Sequence, residues 1–377
     1  MLFTLPNKNM MRIAIVTDYN NKTWVWSQNY NLYTWFKRVW VDVSLINLVS
    51  PQWFNDIPTY GINIISSILN NKYLSFGYGV SIKFHRELRK LLLREQYDVV
   101  ILWHQGLAYI SQTISSINQK FLIIVDDLFP LYDYAQSLDI YIYKKFLLKT
   151  LGSIKNMVFI SDFTKNDYEK YYGDLEAKNS ITIHIGIDTI AVSKEAKNKI
   201  MHKLSVKWKR IILNVWSEDI RKNMKTFLAI ANHYKDNQDV VFVRVWRKSN
   251  ESDKYIYENQ LNNVIYVSWL SEEDMMALYS ISYIVLSPSL LEWYGKQIFE
   301  WYHYNNFIIT TKVSDVELIF KKDHNVFMIN NPESVEEYIW HIENICKGNH
   351  TFQHDTEIQS LEKEADEYLN FIKSIDT

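Results

Sequence analysis

The chain has 377 residues, of which 47% are hydrophobic and 22% charged, with a formal net charge of -2; that is length enough for two domains that each bury a core. Its first 190 residues are mildly basic and the rest mildly acidic, too small an imbalance for a nucleic-acid-binding protein. The single cysteine, Cys346, excludes an internal disulfide framework, no apolar run approaches the roughly 18 residues of a membrane span, and the N-terminus lacks the charged-then-apolar order of a secretion signal, so a cytoplasmic protein is expected.

From Met11 onward, short apolar runs alternate with longer amphipathic stretches. RIAIVTD, VDVSLIN, DVVILWH, KFLIIVDD, NMVFIS and SITIHIGID read as strands, and SIKFHRELRKLLLREQ and LDIYIYKKFLLKTLGSI have helical spacing. Near-continuous apolar strands alternating with helices indicate a parallel sheet covered on both faces. After a Lys-rich stretch the grammar restarts with KRIILNVW, DVVFVRVW, NVIYVSW, SYIVLSP, NFIITT and NVFMI, and TEIQSLEKEADEYLNFIKSI closes the chain as an amphipathic helix. The expected organisation is α/β: a Rossmann-like doubly wound domain over 1–192, a linker over 193–208, a second such domain over 209–350, and a C-terminal helix within 351–377 that packs back on the first. The two domains face a central cleft.

Ligands of doubly wound sheets bind outside the carboxyl ends of the strands, where helix N-termini offer amide donors and a partial positive charge. SPSLLEWYGKQIFEWYH, residues 287–303, sits at such an end. Pro288 and Ser289 close the strand, LLEWYG is a loop, and a helix begins near Gly295, one of only nine glycines in the chain. Glu292 in the loop is placed to hold a sugar hydroxyl, and Glu300 on the helix to accept the hydroxyls of a ribose. Solvated surface glutamates are the bland reading of both.

The text around this corner sharpens the choice. NVIYVSWLSEEDMMALYSISYIVLSPSLLEWYGKQIFEWYHYNNFIITTKVSDVELI closely resembles the donor-binding lobe of the family 4 retaining glycosyltransferases of the GT-B fold, the group that includes glycogen synthase-like and mannosyltransferase-like enzymes. There a Ser-x-Glu-Glu segment leads to a strand, Pro-Ser and a Glu-x7-Glu signature. NVWSEDIRKNMKTFLAIA resembles the family's phosphate-loop strand and helix, while FLIIVDDLFPLYD, MVFISDFTKNDYEKYYG and ITIHIGID resemble segments of its first lobe. The resemblance runs from Met11 to about Pro332. It implies a metal-independent hexosyltransferase with a UDP- or GDP-linked sugar as co-substrate, no further cofactor, and an acceptor that is a glycan, lipid or protein.

Carried over by position, the resemblance assigns Glu300 to the ribose, Glu292 to a hydroxyl of the transferred sugar and Lys222 to the diphosphate, with Gly295, Arg221, Trp293 and Tyr294 around the donor. Lys222, Glu292 and Asp126 are the candidate catalytic residues. Three positions depart from the family. Ser217, after Trp216, stands where an arginine grips the diphosphate, so half of the cationic clamp is missing, with Arg221 or Arg247 as substitutes. Asp126, followed by Asp127, occupies the place of an active-site histidine; it can accept a proton but cannot donate from nitrogen as histidine does. The Gly-rich loop after the first strand is replaced by TDYNNKTWVWSQN, which is expected to shape the acceptor site. His104 ends its strand facing the cleft, or is a hydrogen-bonded structural histidine. In IHIGID, Gly186 and Asp188 read as turn residues between the lobes.

Other readings stay open. The aspartate pair 126–127 could hold a divalent cation in the other large glycosyltransferase fold, but that fold is one continuous domain and the restart after 207 opposes it. Cys346, His350 and His354 have spacing a metal could use, and scattered residues in a polar connector explain them as well. Lys83, Arg86, Arg89, Lys90 and Arg94 make residues 80–96 either a peripheral membrane contact, as in relatives that glycosylate lipids, or a solvated helix face. Against an active enzyme stands a catalytically weakened nucleotide-sugar-binding protein of the same fold.

Overall fold

The computed structural model describes residues 10–17, 24–39, 41–47, 59–61, 82–132, 138–188, 190–215, 217–268, 270–348, 350, 352 and 356–375. The chain divides into two compact units, Met1–Gly186 with Gln359–Thr377, and Ile187–Ile358.

The first unit is built on seven strands: β1 (Arg12–Thr17), β2 (Asp42–Asn47), β3 (Thr59–Gly61), β4 (Val99–Leu102), β5 (Phe121–Val125), β6 (Asn156–Phe159) and β7 (Asn179–Thr182). They lie in the order β3-β2-β1-β4-β5-β6-β7, every neighbour parallel. Ile13, Ile15 and Val16 of β1 and the whole of β4 are buried, as a sheet covered on both faces requires. Because the chain winds outward in both directions from β1 and β4, the order reverses between these two strands and opens a crevice at their carboxyl ends.

The helix Leu361–Ser374 belongs to this unit, burying Tyr368, Phe371 and Ile372. Its docking point explains Gly186: a Cβ there would come within 2.6 Å of the Leu361 Cα and the Ser360 carbonyl oxygen. The Gly186 amide donates to Glu364 Oε2 at 2.8 Å, and Gln359 Nε2 donates to the His184 carbonyl at 2.8 Å. The glycine is demanded by close approach of the helix, a role beyond that of a turn.

Six parallel strands form the second unit: β8 (Arg210–Val215), β9 (Val240–Val245), β10 (Val264–Val267), β11 (Ile284–Ser287), β12 (Phe307–Thr311) and β13 (Val326–Ile329). Their order, β10-β9-β8-β11-β12-β13, places a second reversal between β8 and β11. Phe227, Phe242, Ile284, Ile309, Tyr338 and Ile342 knit the sheet to its covering helices. Residues Lys194–Leu204, within the stretch that reads as a linker, form a helix of this unit; Lys199 and Lys203 place their ammonium groups 2.9 and 3.2 Å from the Asp274 carboxylate.

Serine marks the helix starts. Ser161, Ser193, Ser249, Ser271, Ser334 and Ser360 each accept, through the side-chain oxygen, a backbone amide of the turn they open. Two features differ from the pattern in the sequence. β3 carries no apolar alternation that announces it. The run ITIHIGID is strand only as far as Thr182; the Ile183 amide still donates to the Phe159 carbonyl at 2.9 Å, and the His184 carbonyl then meets Gln359 ahead of the C-terminal helix.

Candidate functional site

At the reversal between β8 and β11, two loops meet. The loop after β8 runs through Ser217 and Glu218 into a short 3-10 turn, Ile220–Lys222, capped by Asp219, whose Oδ1 accepts the Arg221 amide at 3.0 Å. Asn223 then adopts a left-handed conformation (φ +50°), which asparagine tolerates better than most residues, and launches the helix Met224–His233. The loop after β11 carries Ser289 and Glu292 to the helix Lys296–His303. Gly295, at φ +75°, makes the left-handed corner that opens this helix, with no side-chain cap on its first turn. The loops are tied by the Leu290 amide, which donates to the Arg221 carbonyl at 2.6 Å.

Lys222 and Glu292 bridge the loops. The Lys222 ammonium lies 2.5 Å from Glu292 Oε1, which also accepts from Ser289 Oγ at 2.8 Å and from Gln297 Nε2 at 3.3 Å. Glu292 is only 6% exposed. All three donors converge on Oε1, and among the described residues none reaches Oε2, so one carboxylate oxygen is anchored while the other remains an acceptor for a ligand hydroxyl. Arg221 stands over the Trp293 ring at 5.1 Å and pairs with Asp219 at 3.2 Å.

Glu300 lies in the second turn of the helix that Gly295 opens. Its two oxygens meet the Lys296 ammonium and the Tyr279 hydroxyl, each at 3.4 Å. Tyr279 is fully buried, and burial, reinforced by Glu300, pushes its pKa well above the ordinary value, so the hydroxyl keeps its proton and donates it to Glu300.

Sequence-predicted residues thus fall into groups. Lys222, Glu292, Arg221, Trp293, Gly295 and Glu300 are brought to the carboxyl end of one sheet. Tyr294 belongs to the core instead, stacked on Phe299 at 4.6 Å between ring centroids. Arg247 is exposed in the turn after β9, and Trp216 lies outside the described residues. Ser217 takes part through its carbonyl alone, and what it meets is a residue the sequence does not flag. Arg244 of β9, 0% exposed, donates from Nη2 to the Ser217 carbonyl at 3.1 Å. Burial brings its pKa down to about 10, which leaves it charged at neutral pH. Neighbouring Glu218 accepts from Tyr266 at 2.8 Å, from Ser252 at 2.8 Å and from the Ser249 amide at 3.0 Å. Burial works upward on Glu218 and these hydrogen bonds outweigh it, holding its pKa below the ordinary value. An arginine inside an apolar strand, VVFVRVW, was the available signal.

In the first unit, His104 and Asp126 follow β4 and β5, beside that unit's reversal point. His104 Nδ1 accepts the Gly106 amide at 3.0 Å and caps the 3-10 turn Gln105–Ile110, the structural-histidine arrangement. Asp126 is 5% exposed; its amide donates to Gln105 Oε1 at 3.1 Å, and Gln105 Nε2 donates to Asp127 at 3.2 Å. Burial, with Asp127 adding and His104 opposing, raises the Asp126 pKa to about 7. A carboxyl poised there exchanges protons near neutral pH.

Of the loop expected to shape an acceptor site, residues 18–23 lie outside the described residues, and the remainder begins the helix Trp24–Arg38. The basic stretch is the helix Ile82–Glu95, with Leu88, Leu91 and Leu92 buried and Arg86, Arg89, Lys90, Leu93 and Arg94 exposed. Glu87 and Glu95 pair with three of these cations. No helix among the described residues is long and apolar enough to cross a membrane. His354 lies outside the described residues, among which no group of three or more His, Cys, Asp or Glu is placed to hold a metal.

Residues 196–362 match the model of the family described as glycosyl transferases group 1. No curated protein sequence matches the chain. Among solved structures, the chain is similar to a sucrose-phosphate synthase from Thermosynechococcus elongatus, at 13% identity and a TM-score of 0.72 over 97% of this chain and 94% of that one. It is similar to the Anabaena protein HepE in complex with UDP and glucose, at 11% identity and a TM-score of 0.74 over 97% and 100% of the two chains. A third, an E. coli trehalose-6-phosphate protein bound with UDP-2-fluoro glucose, aligns at 10% identity and a TM-score of 0.68 over 97% and 99%. Likeness at these identities speaks for the fold alone: two Rossmann-like units with parallel sheets, the GT-B fold, with the family match falling on the second unit and the start of the C-terminal helix.

Proposed function

We propose that the chain is a retaining glycosyltransferase of family 4 that moves a hexose from a UDP- or GDP-linked donor to an acceptor hydroxyl without a metal cofactor. The observation that carries this reading is the half-anchored carboxylate of Glu292. One oxygen is fixed by Lys222, Ser289 and Gln297, and the other is open, beside the helix that Gly295 begins and that carries Glu300. The family match and the fold support a glycosyltransferase, and the UDP and glucose held by HepE support a nucleotide-sugar donor.

In this reading Glu300 takes the ribose hydroxyls and Glu292 a hydroxyl of the sugar. Lys222 and the first-turn amides of the helix Lys296–His303 neutralise the charge that grows on the departing diphosphate. That diphosphate helps to deprotonate the acceptor on the face it leaves, so the anomeric configuration is kept and no protein nucleophile is needed. Asp126 orients or deprotonates the acceptor from the first unit. The acceptor is a glycan, lipid or protein; the exposed Arg86, Arg89, Lys90 and Arg94, within the basic stretch 80–96, suit a peripheral, cytoplasmic-side membrane contact, which a lipid acceptor would need.

A screen of UDP- and GDP-linked hexoses without added metal, following release of free nucleotide, tests the proposal. Slow release from one donor, abolished by Glu300→Ala, is expected. Binding without release, even with cell-extract acceptors added, would favour the rival, a nucleotide-sugar-binding protein weakened at Ser217 and Asp126.

A further inference from the structure

Lys296 is out of place by the ordinary rules of helix design. It is the first residue of the helix Lys296–His303, where the backbone dipole disfavours a cation. Two other helices of this unit follow the rule, Glu272, Glu273 and Asp274 opening one and Glu251 and Asp253 another, whereas Lys194–Leu204 starts on a lysine followed by Glu195 and Met224–His233 has no acid in its first turn. Nor is Lys296 a solvated exception, since its side chain is 15% exposed. Within the helix its ammonium is balanced by Glu300, one turn on, at the long distance of 3.4 Å. By contrast, the Lys222–Glu292 contact closes to 2.5 Å. A covered cation at a helix N-terminus, loosely paired to one carboxylate, costs stability that a bound anion would return.

Resting on the donor-site reading above, we propose that Lys296 is a second cation for the donor's diphosphate, shared with Glu300 until a nucleotide arrives. Ribose hydroxyls occupy Glu300, and the ammonium is released to a phosphate oxygen beside the first-turn amides. Every helical Cβ tilts toward the N-terminus, so rotation of the flexible lysine stem suffices for the transfer, without backbone movement. Lys222 arrives from the loop after β8 and Lys296 from the helix after β11, which brackets the diphosphate from two elements.

The test is calorimetric titration of the full chain with UDP and GDP and with their nucleosides, uridine and guanosine, for wild type, Lys296→Met, Lys296→Arg and Glu300→Ala. Lys296→Met is expected to weaken the preferred nucleoside diphosphate roughly tenfold to a hundredfold, the loss of a charge-assisted contact, and to leave its nucleoside unchanged. Lys296→Arg should retain most of the affinity. Equal weakening of nucleotide and nucleoside would make Lys296 only a support for Glu300 and overturn the proposal, as would an unchanged diphosphate affinity. Wild type binding no nucleotide, or Glu300→Ala binding as well as wild type, would instead bring down the donor-site reading itself.

Discussion

Lys222 and Glu292, 70 positions apart in sequence, are joined at 2.5 Å across the point where the order of the second sheet reverses, with side-chain exposures of 12% and 8%. Two loops that no local interaction would align are thereby held in one geometry, and the contact that locks them is made by the two residues assigned to diphosphate and sugar. In the proposed reading the same pair serves both stability and donor binding.

Removing one partner leaves the other charge covered and unpaired, so Lys222→Met should destabilise the chain by about 3 kcal/mol. Lys222→Met combined with Glu292→Gln should recover part of that loss. Chemical denaturation of the two single variants and the double variant measures the coupling; additive effects would mean that the pair contributes no mutual stabilisation.

Asp126 gives a pH signature. Its folded pKa of about 7 lies above the ordinary aspartate value, so the unfolded chain gives up this proton first as pH rises. The cost to stability is absent below pH 4, grows between pH 4 and 7, and is complete above 7. Asp126→Asn should then be nearly neutral at pH 4 and stabilising by up to about 4 kcal/mol at pH 8. Thermal unfolding across that range would show the divergence, and parallel curves would refute the buried, protonated carboxyl.

Gly186 makes a geometric prediction. A methyl group there meets the backbone at Ser360 and Leu361 at 2.6 Å, so Gly186→Ala must displace the C-terminal helix and should cost about 2 kcal/mol or more. Gly173→Ala offers a contrast, because its added Cβ meets nothing within 4 Å, and its cost comes only from the left-handed backbone at φ +79°. Hydrogen exchange should locate the first effect in residues 361–374.

The fold was legible because every strand except β3 lies in an apolar run of the kind a doubly buried parallel sheet demands, and because that grammar restarts after residue 207. The corner from Glu292 to Glu300 was legible because its residues are close in sequence. What stayed hidden came from tertiary pairing. Nothing local says that Lys222 reaches Glu292, that Arg244 inside an apolar strand grips the Ser217 carbonyl, or that Gly186 faces a helix some 175 residues further on. Tyr294 looked like a ligand contact by position, and its stacking on Phe299 is invisible until the helix turns.

Arg244 supplies a prediction that sequence alone would not make. Arg244→Met should loosen the loop from Ser217 to Lys222 and weaken nucleoside diphosphate binding about tenfold, the weight of a hydrogen bond from a charged donor. Tyr266→Phe, which removes one donor from Glu218 and leaves the arginine, should do less. Loop protection in hydrogen exchange separates lost positioning from global unfolding.

The most direct measurement is calorimetric titration of the wild-type chain and Glu300→Ala with UDP-glucose and with GDP-mannose, in buffer free of divalent metal. The account predicts that wild type binds one of them and that Glu300→Ala loses at least about tenfold in affinity, the loss expected where a carboxylate holds ribose hydroxyls. Equal affinities in the two proteins would show that the donor is held elsewhere and would contradict the assignment of this corner.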